Sequence, residues 1–211
     1  MKKLLTILLA VCAIAPSLAA QSDGEYSVRI GWGDMPFEVI AFHADTPGSW
    51  NNAKLPADFS RPEKYDYGYT GHIFAEYMHR FTKVVSFGLQ ADLEGIFWKE
   101  GDFDRQHQLI GSARQMSSWD LALLPTVRFT YFHRPLVRLY SGLGAGLMLA
   151  FDNTDGFAAA PSFNLNLIGA EVGRGHWGAT AELGMLNSLT GPYHVYQLGT
   201  RIFSFAVYYK W

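Results

Sequence analysis

The sequence predicts an all-β protein, an eight-stranded antiparallel barrel wound as an up-and-down meander. Three observations predict it. Apolar and polar residues alternate with period two in eight separate runs, so each run makes a ribbon with one oily and one polar side. The segments between runs alternate between short and long, as successive hairpins do. Beyond residue 20, no apolar stretch reaches the roughly 18 residues that a membrane-spanning helix needs; the longest, Ser141 to Phe151, falls short.

The first run sets Tyr26, Val28, Ile30 and Trp32 against Ser27, Arg29 and Gly31, and the second sets Ile73, Ala75 and Tyr77 against His72, Glu76 and Met78. The third, Val85 to Phe97, carries Ser86, Gln90, Asp92 and Glu94 on its polar side. In the fourth, Trp119 to Tyr131, that side holds Asp120, Thr126, Arg128 and Thr130. Arg138, Tyr140 and the glycines 142, 144 and 146 alternate with Val137 to Leu149 in the fifth; Asn164 and Asn166 with Phe163, Leu165 and Leu167 in the sixth. The seventh sets Thr180 and Glu182 against Trp177 to Met185, and the eighth sets Phe203, Phe205, Val207, Tyr209 and Trp211 against Ser204, Ala206 and Lys210. Tight turns are expected at Arg80 to Lys83, His133 to Pro135 and Arg174 to His176. Longer loops are expected at Asp34 to Asp66, Glu100 to Gln115, Asp152 to Phe157 and Asn187 to Tyr193. Inside the first loop, Phe37 to Phe42 is itself strand-like and fits either a continuation of the first strand or a pairing outside it.

The chain opens with Lys2 and Lys3, an apolar run from Leu4 to Ala15 and the small-residue segment Pro16 to Ala20, the layout of a secretory signal peptide cleaved within a residue of Ala20. The expected division is a signal peptide over 1–20 and one barrel domain over 21–211. Cys12, the only cysteine, lies in that leader, behind a Val11 too bulky for a lipidation site, so the mature part holds no disulfide and no thiol nucleophile. Without Lys2 and Lys3, 15 basic residues face 19 acidic ones, a net of −4, which offers no basic field for nucleic acid.

Alternation fits a soluble barrel as well as one in lipid, and the aromatic residues discriminate. Trp32, Phe97, Trp98, Trp119, Phe151, Tyr193 and Tyr196 gather near the loops; Tyr77, Phe81, Phe129, Tyr131, Phe132, Trp177 and Tyr209 gather near the turns. Two belts of amphipathic rings suit the two interfaces of a bilayer, whereas a soluble core concentrates rings in mid-strand. In hydrocarbon an unpaired backbone group costs several kcal/mol, so strands must close into a ring, and eight is about the smallest ring that side chains can fill.

The final strand, with Phe203, Phe205, Val207, Tyr209 and Trp211 on one face, resembles the terminal signal of bacterial outer-membrane barrels. The resemblance is to the small eight-stranded group that includes the transmembrane domain of outer-membrane protein A. It covers the mature chain through architecture and not through a residue-by-residue motif. It implies export to the outer membrane of a Gram-negative bacterium, insertion by the barrel-assembly machinery, and outer-membrane lipid and lipopolysaccharide as surroundings. A monomer with a structural or surface-interaction role is expected, with no enzymatic activity and no cofactor.

The polar faces carry Arg29, His72, Glu76, Asp92, Glu94, Asp120, Arg128, Arg138, Glu171, Glu182 and Lys210, expected to form an internal salt-bridge network that fills and stiffens the barrel. A conducting path for small solutes is the alternative use of such a face. Ser141 to Gly146 lacks the last glycine of a dinucleotide loop and lies in a strand. The seven histidines show no metal-ligand spacing, with His43 and Asp45 the nearest approach. A lipid A-modifying hydrolase would need Ser86, His79 and Glu76 together, but alternation places His79 on the opposite face from the other two. The first loop, with Trp50, Phe59 and Tyr65, is the candidate contact surface.

Overall fold

The computed structural model describes residues 25–34, 60–104, 106, 108–153, 156–188 and 201–211. The expected leader 1–20, the strand-like Phe37 to Phe42, and Trp50, Phe59, Tyr193 and Tyr196 lie outside the described residues. The strands are β1 (Glu25–Asp34), β2 (Arg61–Arg80), β3 (Val85–Phe103), β4 (Leu109–His133), β5 (Val137–Asp152), β6 (Gly156–Arg174), β7 (Trp177–Ser188) and β8 (Phe203–Lys210). Each pairs antiparallel with the next, and β8 pairs with β1 to close the barrel. The seam is completed by reciprocal backbone bonds between Tyr26 and Trp211, both 3.0 Å.

Closure leaves the two faces in sharply different surroundings. Ile30, Leu143, Leu147, Leu183, Phe205 and Val207 are exposed on the outside, Phe205 by 57%. Arg29, Glu76, Glu94, Arg128 and Glu182 are buried inside, Glu76 by all but 3%. A continuous apolar exterior around an ionic interior cannot be sustained in water, where exposed apolar patches exceed a few hundred Å² only at contact surfaces. On β4 the outer face runs from Trp119 to Phe129, a span of about 25 Å at ordinary strand rise and tilt, the height of the apolar band of an outer-membrane barrel.

Rings stand at both ends of that band. Phe97 packs edge-on against Trp119 at 5.5 Å, and Phe151 lies 5.4 Å from Phe157. At the turn end, Tyr26 is covered on the outside by Tyr77, His79 and Trp211, while Trp177 and Tyr209 lie 4.9 Å apart. Trp98 does not belong to the outer belt, because it shares the inward parity of Glu94 and stands opposite Met116.

Two expected loops are corrected. Glu100 to Gln115 is largely strand: β3 continues to Phe103 and β4 begins at Leu109, so this hairpin projects past the apolar band. Tyr65, expected in the first loop, lies in β2 and packs edge-on against Phe103 at 5.3 Å. Alternation is lost there because register shifts at Tyr65/Gly68 and Tyr69/His72 break the side-chain period, with Asp66 at a φ of 56° and Gly71 at 69°. Outside the band, Lys99 is bonded to Asp66 at 2.5 Å, and that hydrogen bond raises its pKa.

A bulge in β6 resolves a conflict of parity. Asn166 and Glu171 both face inward although one position is even and the other odd; the extra residue is Leu167, which pairs with neither neighbour and leaves Leu167 and Ile168 both exposed. The carbonyl freed there accepts a 2.6 Å hydrogen bond from the Ser141 hydroxyl.

Candidate functional site

The chemistry-bearing residues collect in the lumen, in tiers. Nearest the turns, both oxygens of Glu25 accept from Arg138 at 2.6 and 3.0 Å, and the same guanidinium reaches Glu171 at 3.1 Å. Arg80 and Lys210 approach Glu25 at 3.6 and 3.9 Å. Strands β1, β2, β5, β6 and β8 are tied together by this one tier.

In mid-barrel, Arg29 donates to Glu76 and Glu182, and Arg128 donates to Glu76 at 2.7 Å and lies 3.7 Å from Glu182. Two cations and two anions thus cancel inside a space without bulk water, as buried charge requires. Tyr140 joins this quartet as a fifth member. Its hydroxyl donates to Glu182 at 2.8 Å, accepts from Arg29 at 3.2 Å, and its ring carries the Arg128 guanidinium at 4.0 Å. Ser204 adds a donor to the second oxygen of Glu182 at 3.1 Å.

Toward the loops, Asp92 is bracketed by His72 at 2.6 Å and by Arg201 at 2.5 Å, with Gln90 donating at 3.2 Å. His72 places its other nitrogen 3.4 Å from Glu94, and Asn164 donates to Gln90 at 3.1 Å. The Phe74 ring fills the gap between tiers, with Arg201 4.8 Å and Arg29 5.2 Å from its centre. Loopward of the central quartet sits an apolar cluster of Ala122, Leu124, Met148 and Leu186, with Leu124 and Leu186 fully buried.

Of the residues expected in the network, Arg29, Glu76, Asp92, Glu94, Arg128, Arg138, Glu171 and Glu182 are all brought inside. Asp120 is half-buried and accepts from Ser118 at 3.4 Å, and Lys210 stays at the rim. Sequence reasoning missed Arg201, because parity with Phe203 points it outward; a bend at Ile202 turns it in, and Gly33 leaves the room, an added Cβ there meeting the Arg201 side chain at 2.6 Å. It also missed Phe74 and the apolar cluster, whose members occupy the inward parity of strands read as polar on that side.

Among the described residues, side chains pack the lumen at the level of the quartet. Two voids between these side chains measure about 10 Å³ each, room for one water at most. Among the described residues, no group of three or more His, Cys, Asp or Glu side chains is arranged to hold a metal. Ser86 is buried in the lumen, Glu76 is engaged by two arginines, and His79 packs outside between Tyr26 at 4.4 Å and Phe81 at 4.0 Å. Nucleophile and base therefore lie on opposite sides of the wall.

A closed meander of eight strands, ionic within and aliphatic without, is a small membrane-spanning β-barrel. No family model matches the chain, and no curated protein matches it. Among solved structures it is similar to the outer membrane protein Ail of Yersinia pestis, whose backbone structure was determined in a phospholipid bilayer nanodisc. The identity is 12% over 90% of this chain and 100% of that one, with a TM-score of 0.39. At that identity and superposition, nothing is transferred from that protein to this one. The expected resemblance stands at its coarser level, the small barrel.

Proposed function

We propose that the chain is an integral outer-membrane barrel of a Gram-negative bacterium, delivered by a cleaved leader and the barrel-assembly machinery, whose lumen is structural and whose loop end meets the exterior. The carrying observation is the balanced Arg29, Glu76, Arg128 and Glu182 quartet, which ties four strands through side chains and occupies the middle of the lumen. A network built to stiffen has its partners mutually satisfied, whereas a catalytic group needs a reachable face. The functional surface is then the loop end, framed by the projecting β3–β4 hairpin and carrying Tyr65 at its base, in contact with lipopolysaccharide or a partner outside.

Gel migration with and without heating, combined with protease treatment of intact cells, tests this. The expected result is a compact unheated band and cleavage confined to segments 35–60, 104–108 and 189–202. Heat-independent migration, or cleavage only after the envelope is opened, overturns it. Steady single-channel conductance in planar bilayers would replace the structural lumen with a pore, and an altered lipid A mass profile on deletion would replace it with an enzyme.

A further inference from the structure

Among the described residues, the charged side chains exposed at the tight turns are of one sign. Lys83, Arg134 and Arg174 are exposed, one at each turn. None forms an ion pair among the described residues, and no acidic residue occurs in turns 81–84, 134–136 or 175–176. The acidic side chains described at that end, Glu25 and Glu171, face inward and are taken up by Arg138, Arg80 and Lys210. The loop end is mixed in sign among the described residues, with Lys99 bonded to Asp66 and Arg114 paired in register with Glu100.

Each outward cation also stands beside an exposed ring. Phe81 precedes Lys83 by two residues, and Phe132 precedes Arg134, whose guanidinium lies 5.9 Å from its ring centre. Trp177 follows Arg174 by three. The register shift between Thr130 and Phe132 turns Tyr131 and Phe132 outward together, which puts a second ring beside the middle cation. Rings settle at the interface of a bilayer, so cations two or three residues from them reach the headgroup phosphates and no farther.

We propose that the turn-side rim is a binding surface for anionic phospholipid headgroups, such as phosphatidylglycerol, in the leaflet it faces; this rests on the membrane-spanning reading above. Arginine presents a fork matched to phosphate oxygens and lysine a compact charge, and their spread around the rim suits several lipids at once. The carboxylates of a cell wall lie past the headgroups, beyond the depth at which the rings hold these side chains.

The full chain is refolded into vesicles of phosphatidylcholine alone and of phosphatidylcholine mixed with phosphatidylglycerol, and heat-dependent migration reports insertion in both. Native mass spectrometry of the barrel released from the mixed vesicles then counts retained lipids. Phosphatidylglycerol is expected above its bulk share, less so in high salt, with the enrichment falling up to about fivefold for each cation neutralised in K83Q, R134Q and R174Q. K99Q and R114Q, at the loop end, leave it unchanged. Equal lipid retention by the wild type and the triple variant, with both inserted, overturns the proposal and spares the barrel reading. Failure to insert into either vesicle overturns both. Loss of binding to purified peptidoglycan in the triple variant, with lipid retention unchanged, overturns it in favour of the cell wall.

Discussion

Arg128 and Glu76 meet at 2.7 Å across the lumen from β4 and β2, strands that are not hydrogen-bonded to each other. A backbone ladder resists separation of neighbouring strands only. Side-chain bonds of this kind brace the wall from within and make the stability of one strand depend on charges held by others.

Replacing Glu76 leaves Arg29 and Arg128 sharing Glu182 alone, an uncompensated positive charge where there is room for at most a single water. Glu76→Ala is expected to lower stability by about 3–5 kcal/mol, read from urea unfolding in vesicles by tryptophan fluorescence. The double variant with Arg128→Ala restores the balance and should lose less than the sum of the two single changes; strict additivity would mean the pair is not coupled.

Gly169 allows Tyr140 to lie against β6. A Cβ at 169 would stand 2.9 Å from the ring's Cδ2, and the ring is held by its bond to Glu182 and by the guanidinium stacked on it. Gly169→Ala should cost about 1–3 kcal/mol by overpacking. In a Tyr140→Leu background the same change should cost clearly less, and an equal loss would place the strain elsewhere.

Leu143 is 50% exposed in the middle of the outer face. In hydrocarbon, Leu143→Arg is expected to cost about 2–4 kcal/mol, measured as the difference in unfolding free energy in vesicles. On a barrel bathed in water the same exposed substitution would fall within about 0.5 kcal/mol, so a neutral result speaks against burial in lipid.

Asn153 stands in for a strand at the edge of β4. Its side chain accepts from the Ser117 amide and donates to the Gln115 carbonyl, both at 3.2 Å, and its own amide donates to the Ser117 carbonyl at 3.2 Å. Asn153→Ala should remove about 0.5–1.5 kcal/mol of local protection and speed hydrogen exchange at Ser117 up to about tenfold, while Leu121, inside the β4–β5 ladder, exchanges as before. Unchanged exchange at Ser117 would show that the edge is closed by other means.

The parts legible in the sequence are those governed by neighbours along the chain. Leu147, Phe205, Glu94 and Glu182 sit on the faces their parity assigns, because consecutive side chains of a strand point to opposite sides whatever the strand pairs with. The turns near Lys83, Arg134 and Gly175 were visible because a tight hairpin leaves few residues between two alternating runs. The hairpin above Trp98 was hidden, since neither of its faces is buried in lipid and alternation has no reason to persist there.

The sequence by itself determined eight ribbons, their order, and which side of each avoids water. Only the tertiary structure decided that Arg29 bonds Glu182 across 153 positions, that Arg201 turns inward onto Asp92, and that Leu167 forms a bulge. It also set Leu124 and Leu186 together inside a ring of charges. The reason is geometric: closing eight tilted strands staggers each against its neighbours, and that accumulated stagger, which no local window of residues contains, sets which inward side chains share a level.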